Sequence, residues 1–324
     1  MKKLCIFGMV FLVFLGSCAT SIPVTVTKPA IMNMRGIEKI AVVPFTIAYE
    51  RSAGNYIDLI AAVFSKSASY NTVLEQQTAQ ALTGAVTDAI LGTRAYTMID
   101  SGMLSRLDQS QYATVVDAYM IGEVTLLKIT DSDYSEPVKN ADGTTGFKMM
   151  RRRIADLEFT YRLIRAADGS IISQIKKTGT CKDVSPDGRA LRDEFDMVKE
   201  IISDELEYLN RDIAPWTIIE YRTLESEKPK SPNMKEAAAL VKQRSYIQAR
   251  DRFITIYEET GSFAAGYNAA LVTEIAGDLQ GGMERMAALS SATGNPKAAQ
   301  ELARMKRTQA EIDALLAEQE YARR

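Results

Sequence analysis

One apolar run at the start of the chain decides what the rest can become. Met1-Lys2-Lys3 is followed by Leu4 to Leu15, LCIFGMVFLVFL, twelve almost wholly apolar residues. A bilayer core needs roughly twenty helical residues, so this run is too short to span it. A positive start, a short apolar stretch and small residues after it fit a secretory signal. No other segment reaches eighteen consecutive apolar residues, so every later element is expected to fold as a soluble body. Apolar residues are 46% and charged residues 25% of the 324, ordinary globular values. At about 150 residues per domain, the length suggests two domains.

The run ends in Leu15-Gly16-Ser17-Cys18. That resembles the lipobox of bacterial lipoproteins: an aliphatic residue, two small ones, then cysteine. The resemblance implies that residues 1–17 are a signal peptide and that Cys18 is lipidated and becomes the mature N-terminus. The alternative is an ordinary signal in which Cys18 is incidental. If lipidated, the mature chain has 324 − 17 = 307 residues and a charge of 37 − 41 = −4. Cys5 is lost and Cys18 is acylated, with palmitate-type chains, so Cys181 is the remaining thiol and no intrachain disulfide can form. Ala19 follows the cysteine, a pattern that resembles sorting to the outer membrane, facing the periplasm. Residues 18–35 read as a Thr- and Pro-containing tether, reaching roughly 55 Å from the membrane when fully extended.

The residue inventory excludes much chemistry. The chain has no histidine, which removes Ser-His-Asp and Cys-His catalysis and His-ligated zinc. Three distant cysteines exclude a Cys₄ metal site. A net charge of −2 gives no global basic field, so nucleic acid is not an expected partner. No Walker A or Rossmann glycine pattern occurs, and no cofactor is expected.

Residues 36–222 read as an α/β domain, a mixed sheet with packed helices. Ile37 to Phe45 is a β-branched strand ended by Pro44. Thr72 to Leu91 carries apolar residues at threes and fours, with Gly92 as its stop. Tyr96 to Asp100 is a second strand and Ala118 to Ile129 a third. Ile154–Ile164 and Ser170–Thr180 form a hairpin turned by Ala167-Asp168-Gly169. Leu191 to Ile213 is one amphipathic helix. The run IEKIAVVPF, a helix, AYTMID, DAYMIGEVTLLKI and LEFTYRLIRAADGSII resembles the TolB N-terminal domain and the curli-secretion (CsgG-type) lipoproteins. Penicillin-binding-protein activator lipoproteins share that fold. The group has no common enzymatic activity; its members assemble or recruit partners at the cell envelope. The curli channel carries long membrane hairpins, and the candidate insertions here are Thr46–Asn71 and Thr130–Arg153. Neither offers two clean runs of about ten alternating residues. Thr130–Arg153 reads as a polar, exposed hairpin loop.

Residues 223–233 are charged and proline-bearing, a linker. Residues 234–324 then shift to Ala, Glu, Arg and Met. Ser245–Arg250 aligns with Asp278–Met283, an offset of 279 − 246 = 33 residues. This is similar to tetratricopeptide repeats, whose period is about 34. Ala249, Gly266 and Gly282 would be the small residues at helix contacts, Pro296 would open the next helix, and Lys297–Arg324 would cap the stack. An unrelated pair of helical hairpins is the alternative. Trp216 reads as a core plug at the junction of the two domains.

Few residues point to a site. Arg151, Arg152 and Arg153 form a local basic cluster suited to lipid head groups, anionic polymer or an acidic partner, or else a solvated hairpin end. Asp131, Asp133, Glu136 and Asp142 lack the order of a calcium loop. Ser173 and Lys176 match S-x-x-K but fall in a strand, without the companion motifs. Tyr246, Tyr267 and Asn268 are the expected partner contacts of the repeat. The expectation is a lipid-anchored envelope scaffold or adaptor, not an enzyme. It would bind envelope proteins through the helical repeat, reach the membrane through lipid on Cys18, and self-associate. The alternative is a subunit of an oligomeric outer-membrane secretion or pore complex.

Overall fold

The computed structural model describes residues 20–47, 56–57, 60, 63, 70–186, 189–227 and 231–321. Cys18 and most of the first candidate insertion lie outside them. The described residues divide into two compact units: Thr27–Trp216 with those from Asp313 onward, and Thr217–Ile312 with those before Thr27. The first is a mixed sheet with helices packed on it; the second is helical beyond a short ribbon.

The expected tether is corrected at once. Strand β1 (Ser21–Lys28) occupies its centre and pairs with a strand near residue 220 in a two-stranded ribbon. SIPVTVTK looks like a polar linker by composition. Its period is two, however, and Ile22 is buried while its neighbours are exposed. Further on, Ile31 and Met32 donate their amides to the carbonyls of Arg211 and Asp212 at 3.1 and 2.8 Å. Met32 and Met34 are buried in the sheet unit's core.

Strands β2 (Lys39–Val42) and β3 (Thr46–Ile47) follow. Helix α1 (Val73–Thr93) has Thr72 as N-cap in a capping box with Glu75. It stops at Arg94, which takes the left-handed conformation at φ 54°, and not at Gly92 as expected. Strand β4 (Thr97–Met98), helices α2 (Ser101–Leu104) and α3 (Tyr112–Val115), then the long strands β5 (Ala118–Lys139), β6 (Thr145–Arg165) and β7 (Ile171–Pro186) come next. The sheet order is β4-β2-β5-β6-β7, with β3 beside β5. The β2 pairings are parallel, and β5–β6–β7 are antiparallel.

The apolar run Ile40–Val43 is continuous because the sheet is covered on both faces. Alternate residues go to opposite cores. Ile40, Val42, Ala118 and Met120 join Leu82, Val86 and Ile90 of α1. Ala41, Val43, Tyr119 and Ile121 join Leu104, Tyr112 and Val116. The single helix expected over Leu191–Ile213 is two: α4 (Glu194–Leu206), capped by Asp193, and α5 (Leu209–Ile213). Trp216 is half-buried, with the Arg211 guanidinium 4.6 Å above its ring.

Thr130–Arg153 is also corrected, from a loop to an arm of paired strands. At about 3.4 Å per residue, the twenty-two residues of β5 extend roughly 75 Å. The arm turns through residues 140–144, where Gly143 sits at φ 83°. Its polarity is consistent with pairing, because opposite charges face each other across the strands: Asp131 with Arg153, Asp133 with Arg151, Glu136 with Lys148. Strand β7 reaches only to Met150, so residues 135–139 and 145–149 form a two-stranded tip.

In the second unit, strand β8 (Trp216–Thr223) completes the ribbon with β1. Five helices follow: α6 (Pro232–Lys242), α7 (Tyr246–Thr260), α8 (Phe263–Ile275), α9 (Leu279–Thr293) and α10 (Pro296–Tyr321). The 33-residue offset recurs in their boundaries. Tyr246 and Leu279 open α7 and α9; left-handed Gly261 and Gly294 close them; Phe263 and Pro296 open α8 and α10. Gly282 lets two helices touch, since a Cβ there would lie 3.0 Å from the Ala270 carbonyl oxygen. Phe253, Ala265, Ala270, Met286 and Met305 fill the core. An ion network, buried at Arg222 and half-buried elsewhere, ties the ribbon to this core. Arg222 on β8 is 2.9 Å from Glu220 and 3.6 Å from Glu274, and Arg304 bonds Glu274 and Glu301.

Candidate partner-binding surfaces

The three arginines do not make one patch. They sit on successive residues of β6, so Arg151 and Arg153 point to one face of the arm and Arg152 to the other. Arg153 is held by both carboxylate oxygens of Asp131 at 2.7 Å and by the Arg192 carbonyl at 2.8 Å. Its guanidinium holds the Asp131 carboxyl below the usual carboxylate range. Arg151 is 3.6 Å from Asp133. Arg152 bonds Ser132 at 3.2 Å and lies 5.5 Å from the Tyr134 ring centre. The expected basic cluster is therefore part of a cross-strand ladder, with Arg151 and Arg153 matched by Asp133 and Asp131 from within the arm. The tip beyond it is different in kind: Phe147 is 76% exposed and Met149 49%.

Asn268 is also corrected. It is buried on α8, and both ends of its amide are spent on the backbone of Glu225. Its Oδ1 accepts the Glu225 amide at 2.7 Å, and its Nδ2 donates to the Glu225 carbonyl at 2.9 Å. It is a clamp on the segment read as a linker. Tyr267 is half-buried, its ring centre 5.9 Å from that of Phe263. Burial, helped by Glu301 and Glu225, pushes its phenol well above the ordinary value. Tyr246 packs against the helical core at the start of α7.

The clamped segment 224–227 borders two hollows that the sequence does not disclose. One, about 520 Å³, is lined by Glu227, Asn233, Ile256, Thr260, Ser262 and Phe263. Its lining mixes apolar side chains (Ile256, Phe263, Ala264) with hydroxyls and with the Glu227 carboxylate, which accepts from Ser262 Oγ at 2.6 Å. The other, about 210 Å³, is lined by Thr20, Leu224, Met234, Lys235, Ala238 and Lys242. Neither is visible in the sequence, because each depends on a contact between residues 43 apart.

The remaining candidates hold no site geometry. Ser173 and Lys176 are three residues apart in β7, so they point to opposite faces of the strand. Cys181 is buried beside Glu200 at 3.5 Å and Arg192 at 3.7 Å, and burial pushes its thiol up. Among the described residues, no helix is long and apolar enough to cross a membrane. Among them, too, no group of three acidic or cysteine side chains is placed to hold a metal.

No family model matches the chain, and no curated protein matches it. Solved structures do. A PelC dodecamer from Paraburkholderia phytofirmans is 10% identical, covering 60% of this chain and 99% of that one, at a TM-score of 0.29. Lipoprotein GNA1162 from Neisseria meningitidis is 10% identical, covering 53% and 97%, at 0.23. CT253 from Chlamydia trachomatis is 11% identical, covering 55% and 98%, at 0.27. Identities and scores this low carry no functional assignment.

Proposed function

We propose that this is a lipid-anchored envelope scaffold that binds a protein partner through its helical unit. Residues 1–17 and Cys18 supply the anchor, and Ala19 directs it to the outer membrane, facing the periplasm. The tetratricopeptide-like reading of α6–α10 rests on the 33-residue phase of their boundaries. The observation that carries the reading is the 520 Å³ hollow between the start of α6, the end of α7 and the start of α8. A hollow that mixes apolar side chains with hydroxyl and carboxylate groups suits an extended peptide or a partner helix. We read the work as binding: the chain has no histidine for imidazole catalysis, and the candidate nucleophile motif lies in a strand.

Crosslinking and pull-down of the acylated protein from its own envelope tests this. A defined partner captured by the wild type and lost in Phe263→Arg, with helical content unchanged by circular dichroism, supports it. The same capture by the variant refutes the hollow as the site.

One observation favours a second reading, a subunit of a homo-oligomeric secretion complex. The arm tip exposes Phe147 and Met149 on a two-stranded ribbon, where an apolar contact between copies would bury them. Light scattering decides it: a mass of several chains that falls to one in Phe147→Asp/Met149→Asp establishes assembly through the arm.

A further inference from the structure

We infer that the smaller hollow, with Lys235 and Lys242 at its mouth, docks the helical unit on the anionic phospholipid surface that holds its own anchor. The inference rests on the reading of Cys18 as lipidated. Thr20 lines this hollow, and its carbonyl accepts the Leu224 amide at 2.9 Å. The chain is therefore fixed to the helical unit from Thr20 onward. Only Ala19 separates Thr20 from Cys18, and two residues span at most about 7 Å. An anchor expected on a 55 Å tether is thus brought to the rim of the hollow, and whatever surrounds it is headgroup.

The chemistry of the rim matches that neighbour. Lys235 and Lys242 are seven residues apart on α6, so they stand on one helix face, with Ala238 and Ala239 between them. Both lysines are exposed. Among the described residues, neither has an ion pair or a side-chain hydrogen bond. Of the two acids of the same hollow, Glu225 is paired with a lysine, and Glu227 is hydrogen-bonded but keeps its charge, one carboxylate against two ammoniums. Glu225 holds Lys297 at 2.7 Å, and Glu227 accepts from Ser262. Two ammonium groups without an ion pair therefore stand on a hollow whose lining also includes Leu224, Met234 and Ala238. Headgroup phosphate meets the two ammoniums. Each lysine near an anionic surface strengthens binding about fivefold, so the pair contributes roughly twenty-five-fold.

The test uses the full-length mature protein. Its intact mass reports whether Cys18 carries acyl chains. The same preparation is then placed in nanodiscs of phosphatidylglycerol and phosphatidylethanolamine at one to three, and in nanodiscs of phosphatidylcholine. The rate of lysine acylation by an activated ester is read residue by residue. We expect Lys235 and Lys242 to label at least threefold slower in the anionic discs, with Lys306 unchanged. Amide exchange across 232–242 should slow in parallel, and Lys235→Gln/Lys242→Gln should abolish that slowing. Equal rates in both discs overturn the dock, whatever the mass. Slow labelling without lipid, rising with protein concentration, also overturns it and assigns the hollow to a second copy. An unacylated mass with protection in anionic discs refutes the anchor and leaves the dock standing.

Discussion

The sheet unit and the helical unit treat their surface cations in opposite ways. On β6, Arg151 and Arg153 face Asp133 and Asp131 across the strand pair, and their charge is matched within the arm. On α6, Lys235 and Lys242 project from a helix whose neighbouring acids are taken by other partners. As sequence, a run of three arginines stands out as a binding feature, and two separated lysines do not. What matters is the register of the opposing element, which decides whether a cation has charge to spare.

The two units also build separate cores, and the strongest prediction breaks or sharpens that division. Phe159 in the sheet core and Phe253 in the helical core are both fully buried. Truncation of either to Ala should cost about 3–5 kcal/mol. Amide exchange should show the loss within the mutated unit; equal loss of protection in the other unit would mean a single cooperative core. Next come the glycines. A Cβ at Gly122 in β5 would lie 2.1 Å from the Phe45 ring. Gly122→Ala should therefore cost about 1–3 kcal/mol by overpacking. Gly282→Ala meets the Ala270 carbonyl at 3.0 Å but gains about 1 kcal/mol of helix propensity. Its melting temperature should fall less than that of Gly122→Ala, and the reverse order would mean that the helices cannot part by a few tenths of an ångström.

Asn268→Ala tests the clamp. It leaves the Glu225 amide and carbonyl without their partner, at a cost of about 1–3 kcal/mol. Faster proteolysis at 225–227 is the readout, and an unchanged rate would show that the segment is held by packing alone.

The smallest effect is expected on the arm. Asp131→Asn should cost less than about 1 kcal/mol, because the pair is partly solvated. The Asp131 carboxyl is held below its unperturbed 3.8 in the folded state. Its contribution is therefore present above that value and is lost as pH falls through the lowered folded one. Wild type and variant should converge in stability toward strongly acidic pH. A gap that instead widened as pH fell would mean that the pair does not stabilise the fold.

Patterns that repeat along the chain, or that lie within one element, are legible in the residues alone. The strand Ile40–Val43, the strand from Ala118, the capped helix after Thr72 and the 33-residue phase of α7 and α9 all show this. Strand alternation and helix pitch are local geometry, so their signals survive in one dimension. The elements that composition misrepresents depend on distant partners. SIPVTVTK is a linker by composition, and it becomes a strand only because β8 lies beside it. Thr130–Arg153 is a loop by composition, and its charges become a ladder only in the register that β6 imposes. Asn268 reads as a contact for a partner because nothing nearby in sequence claims its amide.

The chain by itself determined a short apolar start, a histidine-free inventory, an α/β region and a helical region in phase. Tertiary structure alone decided which cations are spent, which hollows exist and how near to Cys18 the folded body begins. The reason is physical: secondary structure follows from the nearest few side chains, whereas a free charge or an open hollow is what remains after distant partners have paired.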